Sequence, residues 1–200
     1  MKRFTKARLA TAGALATAVA TAWLPIPAAG GDSSLKAHLI DTSGNVIGKA
    51  KLAFGRDKSR VRVDLQLPAS MAGFHGFHIH STGQCAAPFK SAGGHLGEVP
   101  GDLSHRHRNH DGDLPVLLVN GDGTASARFE TDRIDVAELS DSDGSAFIVH
   151  ALPDNYANIP SSPNRYNNPN PIPVYPNSTT DEVTLQTGDA GDRIACGIIR

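Results

Sequence analysis

The segment from Gly73 to Cys85, GFHGFHIHSTGQC, carries the residue types best suited to metal chemistry. It opens with apolar and aromatic residues and ends in Ser-Thr-Gly-Gln, a pattern that predicts a strand running into a turn. Side chains two positions apart on a strand point to the same side, so His78 and His80 project together. Two neighbouring imidazoles on a stiff strand provide half of a metal site.

Further candidate ligands lie downstream of this strand, in short motifs. They are His95 in SAGGH, His105 and His107, His110 and Asp113 in HDGDLP, and His150 in IVHA. Imidazole nitrogens and carboxylate oxygens are common ligands of transition metals, so these residues are candidates for one or more metal sites. Taken singly, His78, His80 and His150 are better explained as satisfied core histidines, but together with His95 they favour a shared metal site.

The strands that must position these residues follow from alternating apolar and polar positions after Ser34. The segments are LKAHLID (35–41), VIGKAKLAF (46–54), VRVDLQL (61–67), the histidine strand, LPVLLV (114–119), TASARFE (124–130), SAFIVHA (145–151) and RIACGII (193–199). Asn120-Gly-Asp-Gly predicts a hairpin between the fifth and sixth. Eight strands without sustained helical periodicity predict an all-β antiparallel barrel or sandwich.

Two long irregular segments interrupt the strands, at about 81–112 and 152–190. Loops of this length in a small domain are usually functional or disordered. The first is rich in histidines, which favours function. The second is rich in Pro and Asn and is consistent with disorder by composition.

Composition and charge suit one globular domain. The chain has 200 residues, of which 40% are hydrophobic, and a net charge of −1. That is enough to build a core. Neither sign of charge dominates, so composition gives no case for a nucleic-acid partner or an anionic membrane surface.

Residues 1–30 have the layout of a secretory signal peptide, which leaves 31–200 as the mature domain. A basic start, MKRFTKAR, is followed by the uncharged run LATAGALATAVATAWLPIPAAG. The alternative is a transmembrane anchor, but Pro25, Pro27 and the many Ala and Thr residues make a poor span. The mature chain is therefore predicted to be extracytoplasmic, either secreted or in the periplasm or cell envelope, with no membrane span.

Cys85 and Cys196 are the two cysteines of the chain, and both fall in the mature part. Pairing is expected for an exported protein, with two free thiols as the alternative. The bridge would join the loop after the histidine strand to the last strand.

The motifs, taken in order, resemble the copper/zinc superoxide dismutase family. They are GFHGFHIH, SAGGH, HDGDLP, IVHA and GDAGDRIACGII, and the resemblance spans roughly residues 34–199. The spacing between His80 and Cys85 and the exported setting are similar to the bacterial extracytoplasmic branch. The resemblance implies an eight-stranded Greek-key, immunoglobulin-like barrel or sandwich with two long functional loops, an architecture for which the family is a known example.

The resemblance also implies the role of each candidate ligand. Copper would be held by His78, His80, His95 and His150, and zinc by His95, His110, Asp113 and one of His105 and His107. The loop before HDGDLP is shorter than is usual in the family, so the choice between His105 and His107 is open. A copper-only form with an empty zinc site is open as well.

Three other residues match family positions outside the ligand sets. His75 corresponds to a structural histidine, and Asp154 to a carboxylate that links a copper ligand to a zinc ligand. Arg193 corresponds to an arginine that lines the channel above copper and holds the superoxide anion. His38 matches no motif.

The sequence therefore predicts an exported oxidoreductase that converts superoxide to oxygen and hydrogen peroxide with copper and zinc. One alternative is a copper-binding or storage module without turnover; another is a structural sandwich with a vestigial site. Superoxide is the expected partner, nucleic acid is not, and a homodimer is left open. The stretch between His150 and Cys196, which includes the loop 155–187, is about twenty residues longer than in compact relatives of the family and adds Arg165, Tyr166, Tyr175, Asp181 and Glu182. It has three candidate roles: a channel cover, a dimer contact or a cell-surface contact.

Overall fold

The computed structural model describes residues 34–99, 107, 109–157 and 186–200. The strands are β1 (Ser34–Asp41), β2 (Val46–Phe54), β3 (Ser59–Gln66), β4 (Gly73–His75), β5 (Phe77–His80), β6 (Leu117–Val119), β7 (Thr124–Thr131), β8 (Ala146–His150) and β9 (Arg193–Ile198). A short helix, α1 (Val136–Leu139), and 3-10 turns at Ala69–Met71 and Lys90–Ala92 lie between the strands. The all-β fold class is confirmed.

The strands form a seven-stranded antiparallel sheet in the order β5-β8-β9-β1-β2-β3-β7, and β4 pairs with β6. The predicted hairpin after β6 is present, with Asn120 N–H donating to Thr124 O at 2.8 Å. Side chains from both sheets pack in one core, where Leu117 and Val119 of β6 join Val61 of β3.

The histidine strand differs from the single strand predicted, because it is divided into β4 and β5 at Gly76. Gly76 N–H donates to Leu152 O, and Gly76 O accepts from His150 N–H, both at 2.8 Å. These bonds tie the break to the end of β8. As a result β4 pairs with β6 while β5 pairs with β8.

The alternation that predicted the strands matches their burial. On β3, Val61, Val63 and Leu65 face the core, while Arg60 and Arg62 are exposed. The core continues into β5 and β8, where Phe77 stacks on Phe147 with ring centroids 5.3 Å apart. Each large apolar side chain buried in this way stabilises the fold by about 1.5–3 kcal/mol.

A smaller apolar cluster covers the outer face of β8 and β9. Phe89 and Ala92, from the loop after β5, pack there with Ile148 and Cys196. The predicted Cys85–Cys196 disulfide is confirmed; its Cα atoms are 5.7 Å apart and 111 positions apart in sequence. The disulfide therefore fastens the loop 81–93 to the sheet.

Removing the disulfide is expected to lower the free energy of unfolding strongly. In the chain-entropy treatment, a crosslink closing a loop of this length contributes about 4–5 kcal/mol, and measured values are often smaller. Denaturant unfolding of the Cys85→Ser/Cys196→Ser variant should show a much lower midpoint than oxidised wild type. Thiol labelling of the wild type without reductant should find no free cysteine.

Reduced wild-type protein is the control for this comparison, because serine at the fully buried Cys196 position adds a desolvation cost of its own. Reductant should move the wild-type midpoint towards that of the variant and leave the variant unchanged. Equal midpoints for oxidised and reduced wild type would contradict the expected role of the bridge.

Some sequence predictions fall outside the described residues. They are the signal peptide at 1–30, His105, and the loop residues Arg165, Tyr166, Tyr175, Asp181 and Glu182. Within the ranges given above, no helix has the length and apolarity needed to cross a membrane.

Candidate metal centre

Four buried histidines meet where β5 lies beside β8. His78 and His80 come from β5, and His150 ends β8. His95 follows the 3-10 turn and forms an isolated bridge with His80. Each of these histidines offers one ring nitrogen to a set in which all the nitrogens lie within 4.8 Å of one another. We call His78, His80, His95 and His150 the four-histidine group.

The outer ring nitrogens of this group are held by hydrogen bonds. Nδ1 of His80 lies 2.9 Å from Gly93 O, and Nδ1 of His150 lies 3.0 Å from Gly191 O. A carbonyl oxygen only accepts, so both Nδ1 atoms carry the proton and both Nε2 atoms keep a lone pair. Nε2 of His78 contacts Asp154 Oδ2 in the same way.

The inner nitrogens have no hydrogen-bond partner among the described residues. They are Nδ1 of His78, Nε2 of His80 and Nε2 of His150. Leaving a buried polar atom unsatisfied is costly, so each one calls for an explanation. Three convergent lone pairs fit a metal ion that binds imidazole, and the donor set matches copper.

Burial keeps these histidines neutral. Desolvation lowers the pKa of His78 to about 3 and that of His150 to about 4, and it lowers the pKa of His80 well below its usual value. Histidine must be unprotonated to bind a metal. At neutral pH the inner ring nitrogens of these histidines are therefore unprotonated, and a metal would not have to displace a proton from them.

A second set of donors converges on Asp113, which is buried. The Oδ1 atom of Asp113 lies 2.8 Å from Nδ1 of His95, 3.1 Å from Nδ1 of His107 and 3.4 Å from Nδ1 of His110. The Nδ1 atoms of His107 and His110 are buried and make no hydrogen bond within the described part of the chain. Three nitrogens and one carboxylate oxygen fit the tetrahedral zinc set. We call these four residues the Asp113 group.

A ring nitrogen of His78 also lies within 4.8 Å of the donor atoms of three members of the Asp113 group, namely His95, His107 and Asp113. Its Nε2 is already engaged by Asp154, and its Nδ1 is one of the inner nitrogens of the other group. His78 is therefore better placed in the four-histidine group, and His110 completes the set around Asp113.

Of the two histidines of the shortened loop, His107 is the one that the structure describes, and it lies in this set. It is fully buried, and its two ring nitrogens face Asp113 and Asp154. Burial opposes protonation, but the close contact with the Asp113 carboxylate and the hydrogen bond with Asp154 outweigh it and raise the pKa of His107 to about 9. The same contacts hold the pKa of Asp113 well below its usual value despite burial.

Asp154 joins the two groups through one carboxylate. Its Oδ2 contacts Nε2 of His78, and its Oδ1 lies 2.7 Å from Nε2 of His107. Burial alone would raise the pKa of Asp154, but the hydrogen bonds from His107 and His78 have the larger effect and lower this pKa below its usual value. The carboxylate therefore stays ionised. A carboxylate in this position fixes the ring orientation of both histidines.

The guanidinium of Arg193 places a positive charge beside the four-histidine group. Its Nη1 donates to Phe89 O and its Nη2 donates to Gly93 O, both at 2.7 Å. Gly93 O also accepts from His80, so one carbonyl positions both side chains. The guanidinium is half-buried and is fixed by the loop that the disulfide fastens to the sheet.

Comparison with known proteins identifies the family. Residues 46–199 match the family model for copper/zinc superoxide dismutase. The chain belongs to this family. Two mycobacterial copper/zinc superoxide dismutases are among its relatives. The enzyme of Mycolicibacterium paratuberculosis is 37% identical over 83% of this chain and 74% of its own length. The enzyme of Mycobacterium tuberculosis is 39% identical over 84% of this chain and 71% of its own length.

A solved structure supports the fold of a copper/zinc superoxide dismutase. The enzyme from Brucella abortus superposes with a TM-score of 0.61 at 25% identity, covering 84% of this chain and all of the other. The family is an oxidoreductase family that uses copper and zinc, and the chemistry of the two donor groups fits those metals.

His75 lies outside both donor groups of this superoxide dismutase fold. Its ring nitrogens lie 2.7 Å from His150 O and 2.7 Å from Met71 O. The ring therefore connects the end of β8 to the turn before β4. This placement suits a structural histidine. The exposed His38 lies on β1 and belongs to neither group.

Two residues that the sequence analysis did not single out complete the surroundings of His107. The ring of Tyr156 stacks on His107 with centroids 6.2 Å apart, and its hydroxyl accepts from Val116 N–H at 2.8 Å. A Cβ atom at Gly188 would lie 2.5 Å from Nε2 of His107, and its φ is +58°. The sequence offers only indirect signals that these residues belong to the site. Tyr156 follows Asp154 by two positions, and Gly188 begins the motif GDAGDR.

Proposed function

We propose that this chain is an exported superoxide dismutase that holds copper with the four-histidine group and zinc with the Asp113 group. His95 would belong to both. Its Nδ1 faces Asp113, which leaves Nε2 for the copper side. The observation that carries the proposal is the set of buried, unpartnered inner nitrogens beside the fixed Arg193 guanidinium.

The reaction requires two superoxide anions and two protons, and it yields oxygen and hydrogen peroxide. Copper, when bound, supplies the one-electron exchange that oxidises one superoxide and reduces the next. Arg193 attracts and orients each anion, because a guanidinium offers fixed N–H donors as well as charge. Nε2 of His95 can take up a proton and donate it to the reduced product.

Asp154 and Asp113 position these groups. Asp154 orients His78 and His107 together, so the geometry of the zinc side is coupled to that of the copper side. The unpartnered Nδ1 atoms of His107 and His110 beside Asp113 support an intact zinc site over the copper-only alternative.

A storage or delivery module is the second candidate. It would need the same copper ligands, and the buried four-histidine group alone is compatible with it. Such a module has no use for an anchored cation beside the ligands. Arg193, held by two carbonyl oxygens, therefore favours the enzyme.

The extracytoplasmic location is part of the proposal. Structural disulfides persist in oxidising compartments, and Cys85 is bonded to Cys196. The leader-like composition of residues 1–30 points to the same compartment.

Mature protein loaded with copper and zinc is expected to consume superoxide catalytically. The assay is superoxide decay in the presence of a chelator that silences free copper, with metal content measured on the same samples. The control is an equal amount of copper with chelator and no protein. Bound copper without turnover would leave the storage module as the function, and no bound copper would contradict both candidates.

A further inference from the structure

The outer face of the sheet carries a row of four cations that the dismutase site does not use. In the strand register, Lys36 on β1 is opposite Lys51 on β2, Lys51 is opposite Arg62 on β3, and Arg62 is opposite Arg128 on β7. All four side chains are exposed. We call Lys36, Lys51, Arg62 and Arg128 the basic row.

Little on this face neutralises the basic row. Arg62 Nε pairs with Asp64 Oδ2 at 3.0 Å, and Asp64 also accepts from Ser126 and lies opposite a further cation, Lys49. Glu130, the other acid at an outward position of these strands, pairs with Arg60 at 3.1 Å. Within the described ranges, Lys36, Lys51 and Arg128 have no hydrogen bond or ion pair from their side chains.

The basic row is unfavourable for the fold itself. Like charges directly opposite each other on neighbouring strands destabilise a sheet. The row is not a by-product of a basic composition either, because the whole chain has a net charge of −1. An oppositely charged partner would remove the repulsion, so the arrangement points to binding.

The shape of the row suits an extended anion. Neighbouring strands lie about 4.8 Å apart, so four strands spread the cations over roughly 14 Å. A groove of about 500 Å³ lies along β1 to β3, lined by Lys36, His38, Lys49, Lys51 and Arg62 with the paired Asp64. A single small anion would meet only one or two of these charges at once.

We propose that the basic row binds a flexible, phosphate-bearing linear polymer. Charge complementarity along a line favours such a chain over a single phosphate. A lipid bilayer fits the row less well. Membrane-surface proteins pair basic residues with apolar anchors. The exposed large apolar side chains of the described residues lie outside the row and its adjacent register positions; they are Val46, Phe74, Val99, Leu118, Val136 and Leu152.

Binding of long-chain inorganic polyphosphate to the metal-loaded mature protein tests this proposal. The row variant is Lys51→Glu/Arg128→Glu, and the matched control is Arg56→Glu/Lys58→Glu in the exposed turn after β2, which changes the net charge equally. We expect the row variant to bind at least about tenfold more weakly, because each cation near a polyanion contributes separately. The control should change affinity far less, and pyrophosphate should bind wild type weakly.

The same experiment contains the results that would overturn the proposal. Equal losses in the row and control variants would show a response to net charge alone. Pyrophosphate binding as tight as polyphosphate would indicate a single-anion site, and tighter binding of phosphatidylglycerol vesicles would indicate a membrane contact. Superoxide consumption should be unchanged in both variants.

A neutral variant, Lys51→Gln/Arg128→Gln, keeps the test valid if charge reversal impairs folding. Removing two like charges from opposed strands should leave the thermal midpoint equal to or above that of wild type at low salt. Its affinity for polyphosphate should fall between wild type and the row variant. A lower midpoint with unchanged affinity would contradict the proposal.

Discussion

Replacing His80 with alanine is expected to reduce superoxide consumption per chain by at least about a hundredfold. Even residues that only orient metal ligands change affinity or activity by about 10–100-fold, and a ligand should matter more. His80 offers Nε2 to the four-histidine group while its Nδ1 is held by Gly93 O. Alanine removes one of four converging nitrogens and leaves the strand intact. The measurements are copper content and superoxide decay on the same sample.

Thermal unfolding gives a second measurement that does not depend on turnover. A ligand that binds only the folded state raises the unfolding midpoint. Copper should therefore raise the midpoint of wild type much more than that of the His80→Ala variant. His38→Ala is the matched control, because His38 is an exposed histidine on β1 outside both donor groups. Wild-type activity per chain in the His80 variant would remove this residue from the copper site.

The strands were predictable from the sequence because one face of each is buried. Val61, Val63 and Leu65 alternate with charged residues because the apolar side chains face the core and the charged ones face solvent. The division of the histidine strand at Gly76 was not predictable, because the apolar pattern continues across it. The break depends on backbone hydrogen bonds to Leu152 and His150, which are remote in sequence.

The candidate site was also predictable only in part, because local motifs identify its ligands while contacts between distant segments determine their arrangement. The motifs name the residues of both donor groups, but they leave His105 and His107 equivalent, since both occupy one short loop. Of the two, the structure describes His107, whose contacts with Asp113 and Asp154 come from different segments and could not be read from the loop sequence. Tyr156 and Gly188 contact His107 through tertiary packing. The motif GDAGDR includes Gly188, but it does not indicate that this residue lies against His107.

Reversing the charge of Arg193 is expected to lower the superoxide rate per bound copper by at least about tenfold. The substrate is a small anion and the chain has a net charge of −1, so bulk charge offers no attraction. A local cation must provide it, and electrostatic steering can raise association rates by about 10–10³, an effect for which superoxide dismutase is itself a known example. Arg193 is half-buried, where charges interact more strongly than in bulk water.

Copper content should fall much less than the rate in Arg193→Glu, because the four-histidine group lies on other segments. Glutamate would, however, face the carbonyl oxygens of Phe89 and Gly93, which now accept from the guanidinium. Arg193→Gln separates the two effects, since glutamine can still donate to one carbonyl without carrying charge. Its rate per copper should lie between those of wild type and Arg193→Glu. Lys90→Glu, at an exposed cation in the neighbouring 3-10 turn, controls for net charge.

Ionic strength distinguishes steering from a purely structural role of Arg193. Exposed charges are screened over about 10 Å at 0.1 M salt, so added salt should slow wild type more than Arg193→Gln. A structural role would lower the rate of the glutamine variant equally at every salt concentration. The decisive measurement is the superoxide rate per bound copper for the four proteins across a salt series. Equal rates per copper in wild type and Arg193→Glu would show that Arg193 does not guide the anion. Arg165 in the long loop would then be the next candidate for this role.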